Sequence, residues 1–177
     1  MKVIKIHTMS ILCLILCFAA ECYSKNSEEM VNSVVAGDAP KIQRFLLKGA
    51  DPNSTSDNMT ALMLASQFNK IEIVELLLEN DADPNMADPE SGSPLTLASM
   101  TGNTEVVKLL LEAGADVNYR VPSGWSSLMF AANEGNVDIV IMLLEKGAET
   151  SFSDTHGWTA LKLAKRSKQQ QLIELLQ

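Results

Sequence analysis

The chain reads as an all-α repeat solenoid of stacked helix-turn-helix units joined by β-hairpin-like turns. Three observations predict it. The stretches Thr60-Ala-Leu-Met-Leu-Ala65, Ser93-Pro-Leu-Thr-Leu-Ala98, Ser126-Ser-Leu-Met-Phe-Ala131 and Thr159-Ala-Leu-Lys-Leu-Ala164 open at equal steps along the chain. The apolar stretches Ile73-Val-Glu-Leu-Leu-Leu78, Val106-Val-Lys-Leu-Leu-Leu111 and Ile139-Val-Ile-Met-Leu-Leu144 recur on the same beat. Between units stand Gly49-Ala-Asp-Pro-Asn53, Asp81-Ala-Asp-Pro-Asn85, Gly114-Ala-Asp-Val-Asn118 and Gly147-Ala-Glu-Thr-Ser151. A fixed period of this length marks supersecondary units that bury their apolar faces only against each other.

These residues resemble the ankyrin repeat over about residues 28 to 177. Its pattern opens T-P-L-H-x-A, continues into a Val/Leu-rich second helix and closes on Gly-Ala-Asp-x-Asn. Two departures stand out. Only Pro94 keeps the proline, and Met63, Thr96, Met129 and Lys162 replace the histidine. The resemblance implies that this histidine ties neighbouring repeats, so those ties are expected to be thinner here.

The first helix of each unit places small and Leu residues inward: Leu62/Ala65, Leu95/Ala98, Leu128/Ala131 and Leu161/Ala164. The second carries an apolar stripe at Ile73, Val74, Leu77 and Leu78 and at their partners one and two periods later. Gly102 and Gly135, with Asn69 in the first full unit, are placed to end the first helices in the left-handed conformation. The expected divisions are a leader over 1–24, a capping repeat over 25–57, repeats over 58–90, 91–123 and 124–156, and a truncated cap over 157–177. In the capping unit Ala50 pairs with Ala82, a step one short of the period, so the first hairpin lacks one residue. The polar Gln177, in register with Leu144, suits an exposed end.

Residues 1–24 fall outside the period. Lys2 and Lys5 precede an apolar run from Ile11 to Ala20, followed by the small-x-small sites Ala20-Glu-Cys22 and Cys22-Tyr-Ser24. This is the pattern of a secretory signal peptide cut after Cys22 or Ser24. The run is too short to span a bilayer. An uncleaved anchor and a lipid-modified cysteine are the alternatives, although Glu21 and Leu16 spoil the small residue that lipidation needs before Cys22 or Cys17. Export to a periplasm is expected, with secretion as the alternative. All three cysteines, Cys13, Cys17 and Cys22, would leave with the leader, so the mature chain would hold no disulfide and no thiol.

The chain carries a formal charge of −8, and losing Lys2, Lys5 and Glu21 takes it to −9. Such acidity suits a basic protein partner and argues against nucleic acid or anionic lipid. It also serves solubility alone. The unit is expected to be a monomer on its own and to stay off membranes once the leader is gone.

Catalysis is not expected. His156 would be the only histidine of the mature chain, at an exposed turn with no oxyanion hole. One histidine without cysteine builds no ordinary zinc site, and no phosphate-binding glycine loop is present. No cofactor is expected. Asp51, Asp83 and Asp116 recur at one repeat position, which points to bonding of turn amides.

By the resemblance, function falls to the hairpin tips and the exposed, concave side of the first helices. Met59, Gly92, Trp125 and Trp158 form one row before the helix openings and hold both tryptophans. The tryptophans either pack on the next hairpin or also anchor a partner; in the second case Trp125→Ala or Trp158→Ala would weaken binding by about 2 kcal/mol. Phe68 and Met100 are apolar where the exposed helix side is usually polar, and Asn133 and Glu134 follow in the same rows. Glu90 and His156, with Pro89, Pro122 and Ser123, complete the tips. Asn53-Ser-Thr55 and Asn58-Met-Thr60 would be glycosylation acceptors in a eukaryote, and otherwise read as polar turn residues.

Overall fold

The computed structural model describes residues 28–177. The expected leader and the start of the first cap lie outside them. The described chain begins in helix α1, over 28–36, and continues with α2, Ala39–Leu47. Then come strands β1, Thr55–Ser56, and β2, Met59–Thr60. Four helix pairs follow: α3, Ala61–Gln67, with α4, Ile71–Glu79; α5, Pro94–Thr101, with α6, Thr104–Glu112; α7, Ser127–Glu134, with α8, Val137–Glu145; and α9, Ala160–Arg166, with α10, Gln170–Leu175. First helices pack on first helices, and second on second, along the stack. This is the predicted helical solenoid.

The Thr/Ser openings are N-caps. Thr60, Ser93, Ser126 and Thr159 accept hydrogen bonds from the amides of Met63, Thr96, Met129 and Lys162. Each satisfies an amide that the first helical turn leaves without a partner. Thr96, in the histidine's place, reciprocates: its Oγ1 accepts from the Ser93 amide at 2.7 Å and donates to the Ser93 carbonyl at 2.8 Å.

The core is one continuous column between the two helix layers. Leu62, Leu95 and Leu128 are no more than 1% exposed, and Ala65, Ala98, Ala131 and Ala164 are fully buried. From the second helices, Ile73, Val74, Leu77 and their partners fill the other wall. Leu78 and Leu144 are only half-buried, so the expected stripe is narrower at its edge. Leu161 is half-buried too, because among the described residues no further helix pair covers it. Leu175, beside the polar end, is 39% exposed.

A row of asparagines in the closing turns ties the repeats together. Asn53 Oδ1 accepts from the Asp83 amide at 2.7 Å, and its Nδ2 donates to the Asp81 carbonyl at 3.4 Å. Asn85 repeats this on Asp116 and Gly114, and Asn118 on Glu149 and Gly147. The recurring aspartates hold the asparagines in place: Asp51, Asp83 and Asp116 accept from the amides of Asn53, Asn85 and Asn118 at 2.8–2.9 Å. Asn103 adds bonds from Nδ2 to the carbonyls of Ser66 and Gln67. The inter-repeat ties in this structure therefore run through the asparagines of the closing turns and Asn103.

The short first hairpin closes tightly. Thr55 pairs with Thr60 and Ser56 with Met59 across the loop Asp57-Asn58, whose φ values are +50° and +63°. Two consecutive left-handed residues are what a type I′ two-residue turn requires. The later hairpins hold single bridges instead: Asp88 with Gly92, Arg120 with Ser126 and Ser153 with Thr159.

Candidate protein-binding surface

Hairpin tips and first helices place the predicted surface residues in two groups. Toward the N-terminal repeats, Phe68 and Met100 stand at the ends of α3 and α5, 48% and 37% exposed. Val35, in the capping pair, is 52% exposed and holds the same repeat position as Met100 once the short hairpin is allowed for. Met59 is half-buried in β2, and Glu90 is exposed at the second tip. Apolar side chains dominate this group.

The group toward the C-terminal repeats is internally bonded. Asn133 Nδ2 donates to Glu134 Oε1 at 2.8 Å, and its Oδ1 accepts from Arg166 Nη2 at 2.7 Å. The Arg166 guanidinium lies over the Trp158 ring, 5.1 Å from its centroid. Trp158, Asn133 and Glu134 therefore form one chain of contacts through Arg166. Sequence reasoning missed Arg166, although it lies one period after Asn133.

Trp125 is half-buried and its ring packs on Phe130, with centroids 5.0 Å apart and planes at 49°. Its Nε1 donates to Asp154 Oδ2 at 3.0 Å. The other Asp154 oxygen accepts from the amides of His156 and Trp158 at 2.9 and 2.8 Å. Burial works to raise the Asp154 pKa, but the Trp158 and His156 amides, the Trp125 indole and the His156 charge outweigh it and leave it below the ordinary value. Asp88 holds the equivalent place two repeats earlier. Its Oδ1 accepts from the amides of Ser91 and Glu90 at 2.6 and 3.0 Å, and these bonds with the Ser91 side chain lower its pKa despite burial. Neither aspartate was singled out from sequence, yet their separation by two periods marks one row.

His156 is solvent-exposed, with Nδ1 3.9 Å from Asp154 Oδ2 and 3.2 Å from Thr155 Oγ1. Asn53 is committed to its inter-repeat bonds, and Asn58 is exposed at the first turn. Arg120 lies over Phe152 at 4.6 Å, a further cation–aromatic contact at the third and fourth turns. Among the described residues, no group of three or more His, Cys, Asp or Glu could hold a metal ion. No helix among them is long and apolar enough to cross a membrane.

Comparison with known proteins agrees with this architecture. The chain is 33% identical over 73 residues to an ankyrin repeat protein of fowlpox virus, which covers 41% of this chain and 10% of that protein. It is 33% identical over 72 residues to the mouse 2-5A-dependent ribonuclease, covering 40% of this chain and 10% of the enzyme. The chain thus spans about a tenth of the length of the curated relatives it matches. The family model for ankyrin repeats in three copies matches residues 16–121 and 118–177; the first match begins inside the stretch read as a leader. The chain belongs to the ankyrin repeat family.

Proposed function

We propose that this chain is an exported, non-catalytic module that binds a basic protein partner through its hairpin tips and the concave side of its first helices. The observation that carries the reading is the exposure of Phe68 and Met100 on successive first helices, with Val35 exposed in the capping pair. Apolar side chains left open in adjacent units form the kind of patch that a partner covers. The acidic charge supports a basic partner. Export rests on the basic, apolar and small-residue order of residues 1–24, with a periplasm as the destination. The partner would be a periplasmic enzyme or a toxin that the module neutralises.

The test is capture on the immobilised chain, compared with a Phe68→Ser/Met100→Ser variant. A partner held by the wild type should be lost, with at least ten-fold weaker binding, while the circular dichroism of the variant is unchanged. Equal retention by both proteins removes this face from the reading. Fractionation addresses location: protein confined to a host cytosol would favour the second reading, a secreted effector that binds a host protein. The mass of the mature N-terminus checks for an acylated Cys22.

A further inference from the structure

Charge is not spread evenly along the stack. Residues 28–156 carry seven Lys and Arg against twenty Asp and Glu, whereas residues 157–177 carry four against one. Among the first helices α3, α5, α7 and α9, cations stand on α9 alone, as Lys162, Lys165 and Arg166. Arg166 is the one in the concave row. It holds the repeat position of Val35, Gln67, Met100 and Asn133, so the row runs from exposed apolar side chains at Val35 and Met100 to an exposed cation in the last unit.

The Arg166 guanidinium is held but not neutralised. Its face lies over the Trp158 ring, 5.1 Å from the centroid, and Nη2 donates to Asn133 Oδ1 at 2.7 Å. Glu134, the nearest acid in sequence to that asparagine, accepts from Asn133 Nδ2 at 2.8 Å, which leaves the amide oxygen to Arg166. Arg166 takes part in none of the ion pairs among the described residues, in a chain where acids outnumber bases. A guanidinium carries several N–H donors, and the bond to Asn133 leaves an exposed edge. Tying the last two units together needs the Asn133 bond and the ring contact, and neither uses that edge. Ring and amide fix the plane of the group, so little further ordering is needed for a carboxylate to meet it in a bidentate pair.

We propose that Arg166 receives a carboxylate of the protein partner while an apolar side chain of the same partner covers Phe68 and Met100. Two repeats separate Met100 from Arg166, about 20 Å at roughly 10 Å per packed helix. An extended segment of about six residues spans that distance. The acid-rich remainder of the chain suits a basic partner, and α9 is where the partner's charge must change sign. The partner is thereby oriented along the stack, with its apolar group toward the N-terminal repeats and its acid toward the last. The inference rests on the protein-binding reading above and gives that reading a direction.

The test is an NMR titration of the ¹⁵N-labelled full chain with acetyl-Leu-Phe-Gly-Ser-Gly-Ser-Gly-Ser-Glu-amide, beside the peptide that ends in Gln-amide. The wild type should bind the Glu peptide at least three-fold more tightly, with saturable shifts at the Arg166 Nε–H and the Trp158 indole N–H. Arg166→Gln should abolish the preference for Glu. Arg166→Lys keeps the charge without the planar fork and should lose at least half of it. A third peptide, ending in Gln with a free C-terminal carboxylate, identifies a chain end as the source if it matches the Glu peptide. Equal binding of the Glu and Gln peptides by the wild type would overturn the proposal, and that comparison needs no variant to fold. So would a preference that persists in Arg166→Gln with well-dispersed spectra, or the absence of saturable binding by the Glu peptide. The broader reading fails separately: Phe68→Ser/Met100→Ser should weaken both peptides alike, and its capture result holds whether or not Glu is preferred.

Discussion

The Trp125 indole N–H donates to Asp154 at 3.0 Å and so joins the third hairpin to the fourth. The same carboxylate binds the backbone amide of Trp158 at 2.8 Å. One side chain thus fixes one tryptophan by its ring and the other by its backbone. The Trp125 ring also lies on Phe130. Of the two roles the sequence left open, packing has direct geometric support, and partner contact rests on the ring surface that remains half-exposed.

Acid should weaken this junction. The folded pKa of Asp154 lies below its ordinary value of 3.8. A carboxylate with a depressed folded pKa contributes stability that is present above the unfolded pKa and is lost as pH falls through the folded one. The gap in urea midpoint between wild type and Asp154→Asn should therefore be full at pH 7 and shrink below about pH 3.8. A constant gap down to acid would mean that the charge on Asp154 does no stabilising.

Truncating Trp125 should cost more than removing its N–H. Trp125→Ala removes the packing on Phe130 as well as the hydrogen bond, and for a half-buried ring a loss of about 2–3 kcal/mol is expected. Trp125→Phe keeps an aromatic face and should lose less than half of that. Urea denaturation monitored by circular dichroism, with Trp158 fluorescence as a second probe, gives both values. Equal losses would place the whole effect in the hydrogen bond.

The asparagine row should be worth more than its exposure suggests. Asn85→Ala removes two bonds into the next repeat, to the Asp116 amide at 2.7 Å and the Gly114 carbonyl at 3.2 Å. The expected cost is about 1–2 kcal/mol, at a typical 0.5–1.5 kcal/mol per bond. Ser151 holds the same row in the fourth unit, and its hydroxyl bonds Glu149 within its own turn. Ser151→Ala should therefore cost well under half as much. If the two variants unfold alike, the row does not tie repeats.

The repeat register made the fold legible because stacking forces the same residue type to the same place in each unit. The buried Leu and Ala rows, the Thr/Ser caps and the aspartates on turn amides all follow from it. The asparagine ties escaped notice because Asn closes the family pattern in any case, and its partners lie in the next unit, nearly a full period away. Asp154 and Arg166 were missed for a similar reason. Each changes residue type from unit to unit, Asp154 standing in register with Val121 and Arg166 with Asn133, so the position recurs but the residue does not announce its role. Phe68 and Met100 were legible because each is apolar at a helix position where the resemblance expects a polar residue.

Lys168 should be the simplest site to stabilise. It adopts φ +57°, in the row where Gly102 and Gly135 adopt +77° and +83° and Asn69 adopts +53°. A Cβ at Gly102 would meet the Asn136 side chain at 3.1 Å, and one at Gly135 would meet Gln169 at 2.5 Å, so a side chain there would have to displace a side chain of the next unit. Among the described residues, no helix pair packs beyond α10, so a lysine fits in space. Its backbone still bears the left-handed cost, which for an ordinary L-residue is roughly 1–2 kcal/mol. Glycine lifts that strain but loses more entropy on folding, by roughly 0.5–1 kcal/mol relative to alanine. Lys168→Gly should thus gain about 0.5–1 kcal/mol, seen as a higher urea midpoint at unchanged slope. A lower midpoint would show that the lysine side chain contributes more at this end of the stack than its backbone costs.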